Sequence, residues 1–500
     1  MGPRWVVHSD MVRKTAWELY MTVLGLLISL LIPVMLIFFI PTLIWRPIAK
    51  ALRPYLRPDL DEMLSCSSSV FAQVDDDDYV KSMIVMHGSL KGVLDYDLFV
   101  QQVKERLLDC KEEESGDLRY PQLKQYITNW VGYKFWKWEE DFHVKNHVHL
   151  INENNLEMRP DDLLTISKNL LCGTFEARRS PWDMTLIPGV MLNGELSTFL
   201  IIRSHHALAD GYSLLFLVQR LFGESRPRAP LTPKCTSLEI GYFLRLPYKV
   251  LRIFGELAHN TASSFLWKIP ETQKSREWSI YQGDRVKVTS IIKIKRHFGV
   301  SFTAVVFSLL CGGLQRFIAR HGKGPGIRAL PSAITVPVKS HPDKLCNKFS
   351  FAMFSYPVGV QDPVERLSTV HNNFEDLRDS PVPIIGYFAF RLHGSHFNCV
   401  GKLINSYRYA PFVTSYFPTG QPNWVLQDCP VDYMTFFLRV QQGQQGAMLC
   451  VSAFHNSISL NAVFNASLLS QEEVIELGRD IEEEAEILLE AIEFHEKKVL

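Results

Sequence analysis

Two adjacent histidines, His205 and His206, follow an apolar run and precede Asp210 and Gly211. Histidine is the side chain best suited to general-base work near neutral pH, because its unperturbed pKa is about 6.5. The pattern His-His-x-x-x-Asp-Gly is expected by chance in about one of a thousand such chains. Neighbouring side chains of an extended segment point to opposite sides, so at most one histidine faces a given cleft. The stretch predicts one catalytic histidine, and two ordinary buried histidines are the alternative.

A buried strand and a helix must position these residues. The apolar run up to Ile202 predicts the strand, and the apolar spacing over residues 212–222, ended by Gly223, predicts the helix. Such a corner places side chains at the edge of a sheet, where clefts form. Asp210 can orient the histidine or pair with an arginine that holds the loop, and Gly211 leaves open space for a substrate tail.

Other catalytic patterns are missing from the sequence, which has no Gly-x-Ser-x-Gly turn, no phosphate-binding loop and no dinucleotide fingerprint. Direct transfer is the chemistry that suits a single histidine, since a base can deprotonate a hydroxyl that then attacks an activated acyl group. We expect no metal site, because the cluster His143, His147 and His149 has no cysteine or carboxylate at a dependable ligand spacing.

The composition is that of a large globular protein. A chain of 500 residues is long enough for an enzyme of two lobes, and its 53 basic residues balance 53 acidic ones. No basic face interleaved with aromatic residues is present, which argues against a nucleic-acid partner. The nine cysteines are scattered without Cys-x-x-Cys spacing, which is typical of free thiols in a reducing compartment.

The N-terminus differs from the rest of the chain. No charged residue occurs from Leu19 to Trp45, and this stretch exceeds the ~20 residues that span a bilayer core. We therefore predict a retained membrane anchor over residues 1–60, including its linker. Pro33 and Pro41 allow either a kinked span or a re-entrant hairpin. The slight excess of basic residues after the stretch favours a cytosolic body.

The remaining chain alternates strands and helices, which predicts a mixed α/β (α+β) fold. We expect a first lobe over residues 61–225, a crossover linker over 226–285 and a second lobe over 286–500. The linker contains a basic amphipathic stretch, 241–258, which fits a membrane interface or a core helix equally. Further predictions are a late hairpin over 431–454 and a last helix that begins with a capping box of Ser470 and Glu473.

The stretch His-His-Ala-Leu-Ala-Asp-Gly matches the signature of the chloramphenicol acetyltransferase-like superfamily, which includes condensation domains. The chain most resembles the wax ester synthase/diacylglycerol O-acyltransferase family, since the likeness extends from Met83 to the C-terminus. Ser180-Pro181-Trp182 resembles the Pro-Leu-Trp region of that family, and Asn347 stands where the family has Gly-Asn.

The resemblance implies two similar lobes, each a mixed sheet with helices, that meet at a substrate tunnel with His206 near its middle. His206 would act as general base, His205 would support the loop and Asp210 would pair with an arginine. Trp182, Gly211 and Asn347 would line the tunnel or support its loops. Acyl-CoA would be a co-substrate rather than a cofactor, and diacylglycerol or a fatty alcohol would be the acceptor, at the endoplasmic reticulum membrane.

Two departures from the family pattern concern substrate choice. Thr303-Ala304 stands in place of the Asn-Asp motif, and the motif Ser-Asn-Val-Pro-Gly-Pro survives only as Ser415 and Pro418. Two alternatives therefore stay open: an acyltransferase for a sterol, an amine or a short-chain alcohol, and an inactive membrane-anchored lipid-binding protein. The sequence gives no indication of oligomeric state.

Overall fold

Two mixed β-sheets form the framework of the protein. The structure is a computed structural model. It describes residues 4–73, 82–151, 158–224, 251, 275–283, 286–322, 327–378, 380, 382–405, 410–420, 423–440 and 446–499. The helices in this part are α1 (Arg4–Ser29), α2 (Ile32–Leu56), α3 (Cys66–Ala72), α4 (Tyr96–Val103), α5 (Pro160–Cys172), α6 (Gly211–Leu221), α7 (Val288–Phe298), α8 (Phe302–His321), α9 (Pro363–Arg378), α10 (Val382–His393), α11 (Asn398–Asn405) and α12 (Gln471–Val499). The strands are β1 (Leu60–Met63), β2 (Ser82–Lys91), β3 (Gln125–Trp130), β4 (Tyr133–Trp138), β5 (Val148–Leu150), β6 (Trp182–Leu192), β7 (Glu195–His205), β8 (Trp278–Tyr281), β9 (Val286–Lys287), β10 (Leu330–Pro337), β11 (Phe349–Tyr356), β12 (Phe412–Gly420), β13 (Val425–Leu426), β14 (Cys429–Val440), β15 (Ala447–Phe454) and β16 (Ser457–Asn465).

The first sheet has the strand order β13-β14-β2-β7-β6-β5. Strand β7 lies in its interior, antiparallel to both neighbours, and is buried from Ser197 to His205. A strand covered on both faces carries a nearly continuous apolar run, which explains the sequence before the two histidines. The sheet thus places the signature at the end of an interior strand, as the sequence predicts.

The second sheet has the order β11-β10-β12-β15-β16-β8, with β9 also paired to β16. Helices α8 and α12 pack on it around a separate apolar core. The capping box at the start of α12 is confirmed, because Ser470 N–H donates to Glu473 Oε2 at 2.9 Å and Glu473 N–H donates to Ser470 Oγ at 3.2 Å. Strand β12 runs parallel to β10 and β15, so this half of the molecule is also a mixed sheet with helices.

One strand of the second half belongs to the first sheet. Strand β14 pairs along its length with β2, from Val431 opposite Leu90 to Val440 opposite Ser82. The hairpin predicted over 431–454 is therefore wrong, since β14 and β15 lie in different sheets and β15 pairs with β16. The expected boundary at residue 286 does not separate the sheets either, because β8 joins the second sheet from within the predicted linker. Most of that linker, including nearly all of 241–258, lies outside the described residues.

The N-terminal segment forms two helices with a turn at residues 30–31, just before Pro33. Helix α2 is packed on the body: the Thr42 hydroxyl lies 2.6 Å from His396 Nδ1, and the Arg46 guanidinium lies 5.3 Å from the ring centre of Tyr133. Of the described helices, α8 is the one long and apolar enough to cross a bilayer, and 72% of its apolar window is buried in the protein. The N-terminal membrane anchor stays a prediction.

Candidate active site

The signature forms the expected corner between β7 and α6. The chain turns after His205, with His206 N–H donating to Ser82 O at 3.0 Å and Leu208 N–H donating to His205 O at 3.0 Å. Asp210 caps α6, because its Oδ1 accepts from Ser213 N–H at 2.9 Å. The corner therefore holds the two histidines and the aspartate rigidly.

His205 contacts the loop through both its backbone and its ring. Its backbone N–H donates to Pro181 O at 2.9 Å, and its Nδ1 accepts from Ala207 N–H at 2.8 Å. The second bond places the ring against the turn that carries His206. Its contacts hold the backbone of the signature in place.

The ring of His206 is oriented by Asn347 from the second half of the chain. Asn347 Nδ2 donates to His206 O at 2.8 Å and to Ser68 Oγ at 3.1 Å, so Asn347 Oδ1 faces Nδ1 of the ring at 3.0 Å. An amide oxygen only accepts hydrogen bonds, and His206 Nδ1 must therefore carry the proton. Its Nε2 keeps the lone pair, and no described residue hydrogen-bonds to this atom.

Burial keeps His206 uncharged. The side chain is almost fully enclosed, and this burial lowers its pKa to about 4, although its own carbonyl, Asp210 and Asn347 act in the opposite direction. At neutral pH the ring is neutral with Nε2 unprotonated. Nε2 can therefore accept a proton.

An apolar cavity borders His206 at the junction of the lobes. The ring of Phe71 stacks on the imidazole with centroids 3.8 Å apart, and Phe349 and Phe390 continue the wall. Thr335 adds a hydroxyl, which donates to Ser415 Oγ at 3.4 Å. The cavity measures about 40 Å³.

Asp210 pairs with a histidine and not with the expected arginine. Its Oδ2 accepts from His341 Nε2 at 2.9 Å and from Lys348 N–H at 2.7 Å. His341 Nδ1 faces Pro342 O at 2.9 Å, so both ring nitrogens face acceptors and both must carry protons. Burial lowers the pKa of His341, but its interactions with Asp210 and with Cys346, whose Sγ lies 3.8 Å from Nε2, outweigh burial and raise the pKa to about 10. The pair ties α6 to the loop before β11.

Gly211 and Trp182 pack against neighbouring elements and are not among the described residues that line the His206 cavity. Gly211 does not leave open space, because a Cβ there would lie 3.3 Å from the ring of Phe417. Trp182 is buried away from the described lining of the His206 cavity. Its indole N–H donates to Leu123 O at 2.8 Å, and its ring stacks on His147. Trp182 therefore supports the strand beside β7 and does not line a tunnel at His206.

Several residues of the site escaped the sequence argument. Phe71 and Ser68 lie on α3, at the start of the predicted first lobe, and Thr335 and His341 stand in no recognised motif. The available signal was weak: His341 and Asn347 are close in sequence, within the stretch that resembles the family.

Two family models match this chain. The wax ester synthase/diacylglycerol acyltransferase catalytic domain matches residues 70–250, and the WS/DGAT C-terminal domain matches residues 345–488. The chain belongs to the wax ester synthase/diacylglycerol acyltransferase family. These matches include the His206 corner and Asn347, and they confirm the expected resemblance.

Curated relatives of this family member are distant. A probable diacylglycerol O-acyltransferase of Mycobacterium tuberculosis is 20% identical over 308 residues, which cover 56% of this chain and 62% of the relative. A putative enzyme of the same name from Mycobacterium bovis matches to the same extent. The matched stretch thus spans somewhat less than two thirds of these relatives.

Solved structures confirm the two-lobed α/β fold. The wax ester synthase/diacylglycerol acyltransferase from Marinobacter aquaeolei VT8 superposes with a TM-score of 0.57 at 15% identity, over 85% of this chain and 99% of that one. A trichothecene 15-O-acetyltransferase from Fusarium sporotrichioides gives 0.60 at 11% identity, over 85% and 94%. The first condensation domain of the CDA synthetase gives 0.53 at 10% identity, over 85% and 96%.

Proposed function

We propose that the protein is an acyl-CoA-dependent O-acyltransferase that esterifies diacylglycerol or a long-chain alcohol, giving triacylglycerol or a wax ester. The observation that carries this proposal is the orientation of His206, whose Nδ1 is held by Asn347 and whose Nε2 is unprotonated beside an apolar cavity. Family membership and the names of the relatives support the same reaction.

In the proposed reaction, His206 Nε2 takes the proton of the acceptor hydroxyl as its oxygen attacks the thioester carbonyl. The tetrahedral intermediate then collapses, the carbon–sulfur bond breaks and the coenzyme A thiolate takes the proton from His206. Negative charge on the carbonyl oxygen requires a hydrogen-bond donor. Thr335 is our candidate, because it lines the same cavity and its hydroxyl can turn from Ser415 Oγ, at 3.4 Å, to the carbonyl oxygen.

The acceptor resides in a bilayer, and we propose that α1 and α2 hold the protein there. The exposed side of α2 is strongly apolar, with Ile37 70% and Ile44 57% exposed. Side chains of this kind favour a bilayer over water. We place the protein at the endoplasmic reticulum with its body in the cytosol, where acyl-CoA is available.

The decisive experiment compares membranes containing the wild type with membranes containing His206→Ala. Both receive labelled palmitoyl-CoA with hexadecanol and diacylglycerol, and the lipids are separated. We expect a labelled neutral ester from the wild type alone, and the product identifies the acceptor. If the folded wild type consumes acyl-CoA only with a sterol, an amine or a short-chain alcohol, the acceptor class is wrong. Lipid binding without consumption of acyl-CoA would indicate an inactive carrier.

A further inference from the structure

Helix α10 presents a stripe of large apolar side chains to the outside of the protein. Ile384, Phe388 and Leu392 recur at every fourth residue and are 48%, 65% and 46% exposed. Leu403, on the neighbouring helix α11, is 71% exposed. Side chains four residues apart lie on the same face of a helix, so the three on α10 form one continuous surface. Exposed apolar patches of this kind mark sites of interaction.

The opposite face of α10 forms part of the wall around His206. Phe390 is 9% exposed and packs on Phe71 and Phe349, with ring centroids 5.6 Å and 5.4 Å away. His393 lines the same cavity. Gly386 lies against the backbone of Phe351, where a Cβ would not fit. A single helix therefore separates the exposed apolar stripe from the candidate base.

The charges around this surface suit an anionic lipid surface. The sequence contains no Asp or Glu from residue 380 to 427, a segment that includes α10 and α11 and carries Arg391 and Lys402. It also contains none from residue 19 to 58, which includes α2 with Arg46 and Lys50. The two segments meet where Thr42 contacts His396. Basic side chains are attracted to an anionic bilayer, and the lack of acidic residues in these two segments avoids repulsion from it.

The cavity beside His206 requires a wall that moves. At about 40 Å³ it is far smaller than the roughly 300–1,000 Å³ of pockets that hold small-molecule ligands, and a long-chain lipid needs no less. Phe71 and Phe390 fill the space next to the imidazole. Displacing α10 outward would open this space toward the surface on which the apolar stripe lies.

We propose that the outer face of α10, with Leu403 of α11, docks on an anionic phospholipid bilayer, and that the acceptor lipid passes from the bilayer under α10 to His206. The passage of the acceptor rests on the function proposed above, whereas the docking does not. Helix α10 is thus a second bilayer contact, in addition to the anchor predicted at the N-terminus.

Photo-crosslinking tests the docking without any activity. The full-length protein is reconstituted in vesicles of phosphatidylcholine and phosphatidylserine, with p-benzoylphenylalanine in place of Phe388 or, as the matched control, of Leu196. Leu196 is 50% exposed and lies at the far end of β7, about 30 Å along the strand from His205. We expect covalent phospholipid at position 388 and only background at 196. Equal labelling at both positions, or coupling of position 388 to a second protein copy, would overturn the proposal.

A kinetic comparison tests the route of the acceptor. The variant Ile384→Ser/Phe388→Ser/Leu392→Ser is assayed with hexadecanol in vesicles and with water-soluble hexanol, beside the control Met191→Ser/Leu196→Ser/Phe494→Ser. We expect the apparent KM for hexadecanol to rise about tenfold in the first variant only, with hexanol turnover unchanged. An equal loss with both alcohols would reject the route. If the wild type transfers to neither alcohol, nor to diacylglycerol in the same vesicles, the proposed function fails, while crosslinking still decides the docking.

Discussion

His206 and His341 are both buried near the junction of the lobes, yet their surroundings act on them in opposite directions. His206 is stacked on Phe71 and faces an uncharged amide, and burial lowers its pKa to about 4. His341 faces the carboxylate of Asp210, which together with Cys346 outweighs burial and raises the pKa of His341 to about 10. The charge of the nearest partner, more than burial itself, therefore decides which histidine can accept a proton.

The comparison separates two tasks within the signature. At its first end, His206 presents a neutral ring to a cavity. At its second end, Asp210 forms an ion pair with His341 that joins the lobes. Asp210 binds His341 and the backbone of Lys348, both from the second half of the chain, while it caps α6 in the first half. We expect changes at the first end to lower turnover and changes at the second end to lower stability.

The largest effect is expected from His206→Ala. Removal of the general base should lower kcat by about 10³-fold or more, with the thermal unfolding temperature nearly unchanged. The control is His393→Ala, which removes another histidine from the same cavity and should retain most activity. Comparable losses in both variants would show that the cavity, and not the base, was damaged.

The variant His341→Ala should mainly affect stability. It leaves the buried carboxylate of Asp210 without its cation, and we expect the free energy of unfolding to fall by about 2–3 kcal/mol in urea titrations. The control is His321→Ala, whose partner Glu476 lies at 2.8 Å but nearer the surface, with an expected loss below about 1 kcal/mol.

The contribution of His341 to stability should also depend on pH. Because the pKa of His341 is raised, this contribution is fully present below pH ~6.5 and is lost as the pH rises through about 10. An unfolding curve that is insensitive to this variant would contradict the ion pair.

The variant Asn347→Leu should release the ring of His206. We expect kcat to fall about 100-fold with little change in KM, since the tautomer and the direction of Nε2 are no longer fixed. Asn461→Leu, which removes a buried amide that bonds Thr435 in the other sheet, is the control and should lower stability without this loss of kcat. A normal kcat for Asn347→Leu would show that the Asn347 amide does not orient His206 for catalysis.

A smaller effect is expected from Gly211→Ala. The added methyl group meets the Phe417 ring at 3.3 Å, so the ring must shift by a few tenths of an ångström. We expect kcat/KM to change about threefold, and stability to change by less than about 1 kcal/mol, because alanine favours the helix. The double variant Gly211→Ala/Phe417→Leu should relieve the contact. A tenfold loss that this second change does not reverse would indicate that substrate passes at Gly211.

The smallest effect is expected from moderate acidification. General-base catalysis needs the neutral ring, and the lowered pKa of His206 keeps it neutral well below the ordinary value. The kcat/KM of the wild type should therefore be nearly flat from pH 7.5 to 5.5, with an acid limb near pH 4. If kcat/KM instead falls near pH 6.5, the ordinary pKa of histidine, water must reach His206 in the working enzyme and cancel the effect of burial.

Local features of this fold were predictable from the sequence. The strand before His205, the helix after Asp210 and the capping box at Ser470 each depend on residues within one or two turns of each other. Apolar periodicity and capping are interactions of this range, which is why they can be found without a structure.

Long-range pairings were not predictable in the same way. Alternating apolar residues mark β14 as a strand but do not say which sheet it joins, so the apparent hairpin to β15 was wrong. The partner of Asp210 is 131 positions away, and an arginine was the default expectation for a buried carboxylate. The resemblance did single out Asn347, although the contact with His206 appears only in the folded chain.

Because β14 comes from the second half of the chain but joins the first sheet, the first sheet cannot be completed until late in synthesis. Strand β2, nine of whose ten residues are buried, is complete once residue 91 has left the ribosome, but its partner ends at residue 440. At roughly 5–20 residues per second, the unpaired edge would wait about 20–70 s for β14. An apolar edge of this kind invites pairing with other chains, so nascent chains should need chaperones until synthesis is nearly finished. For the same reason, the two halves should not fold when they are produced as separate proteins.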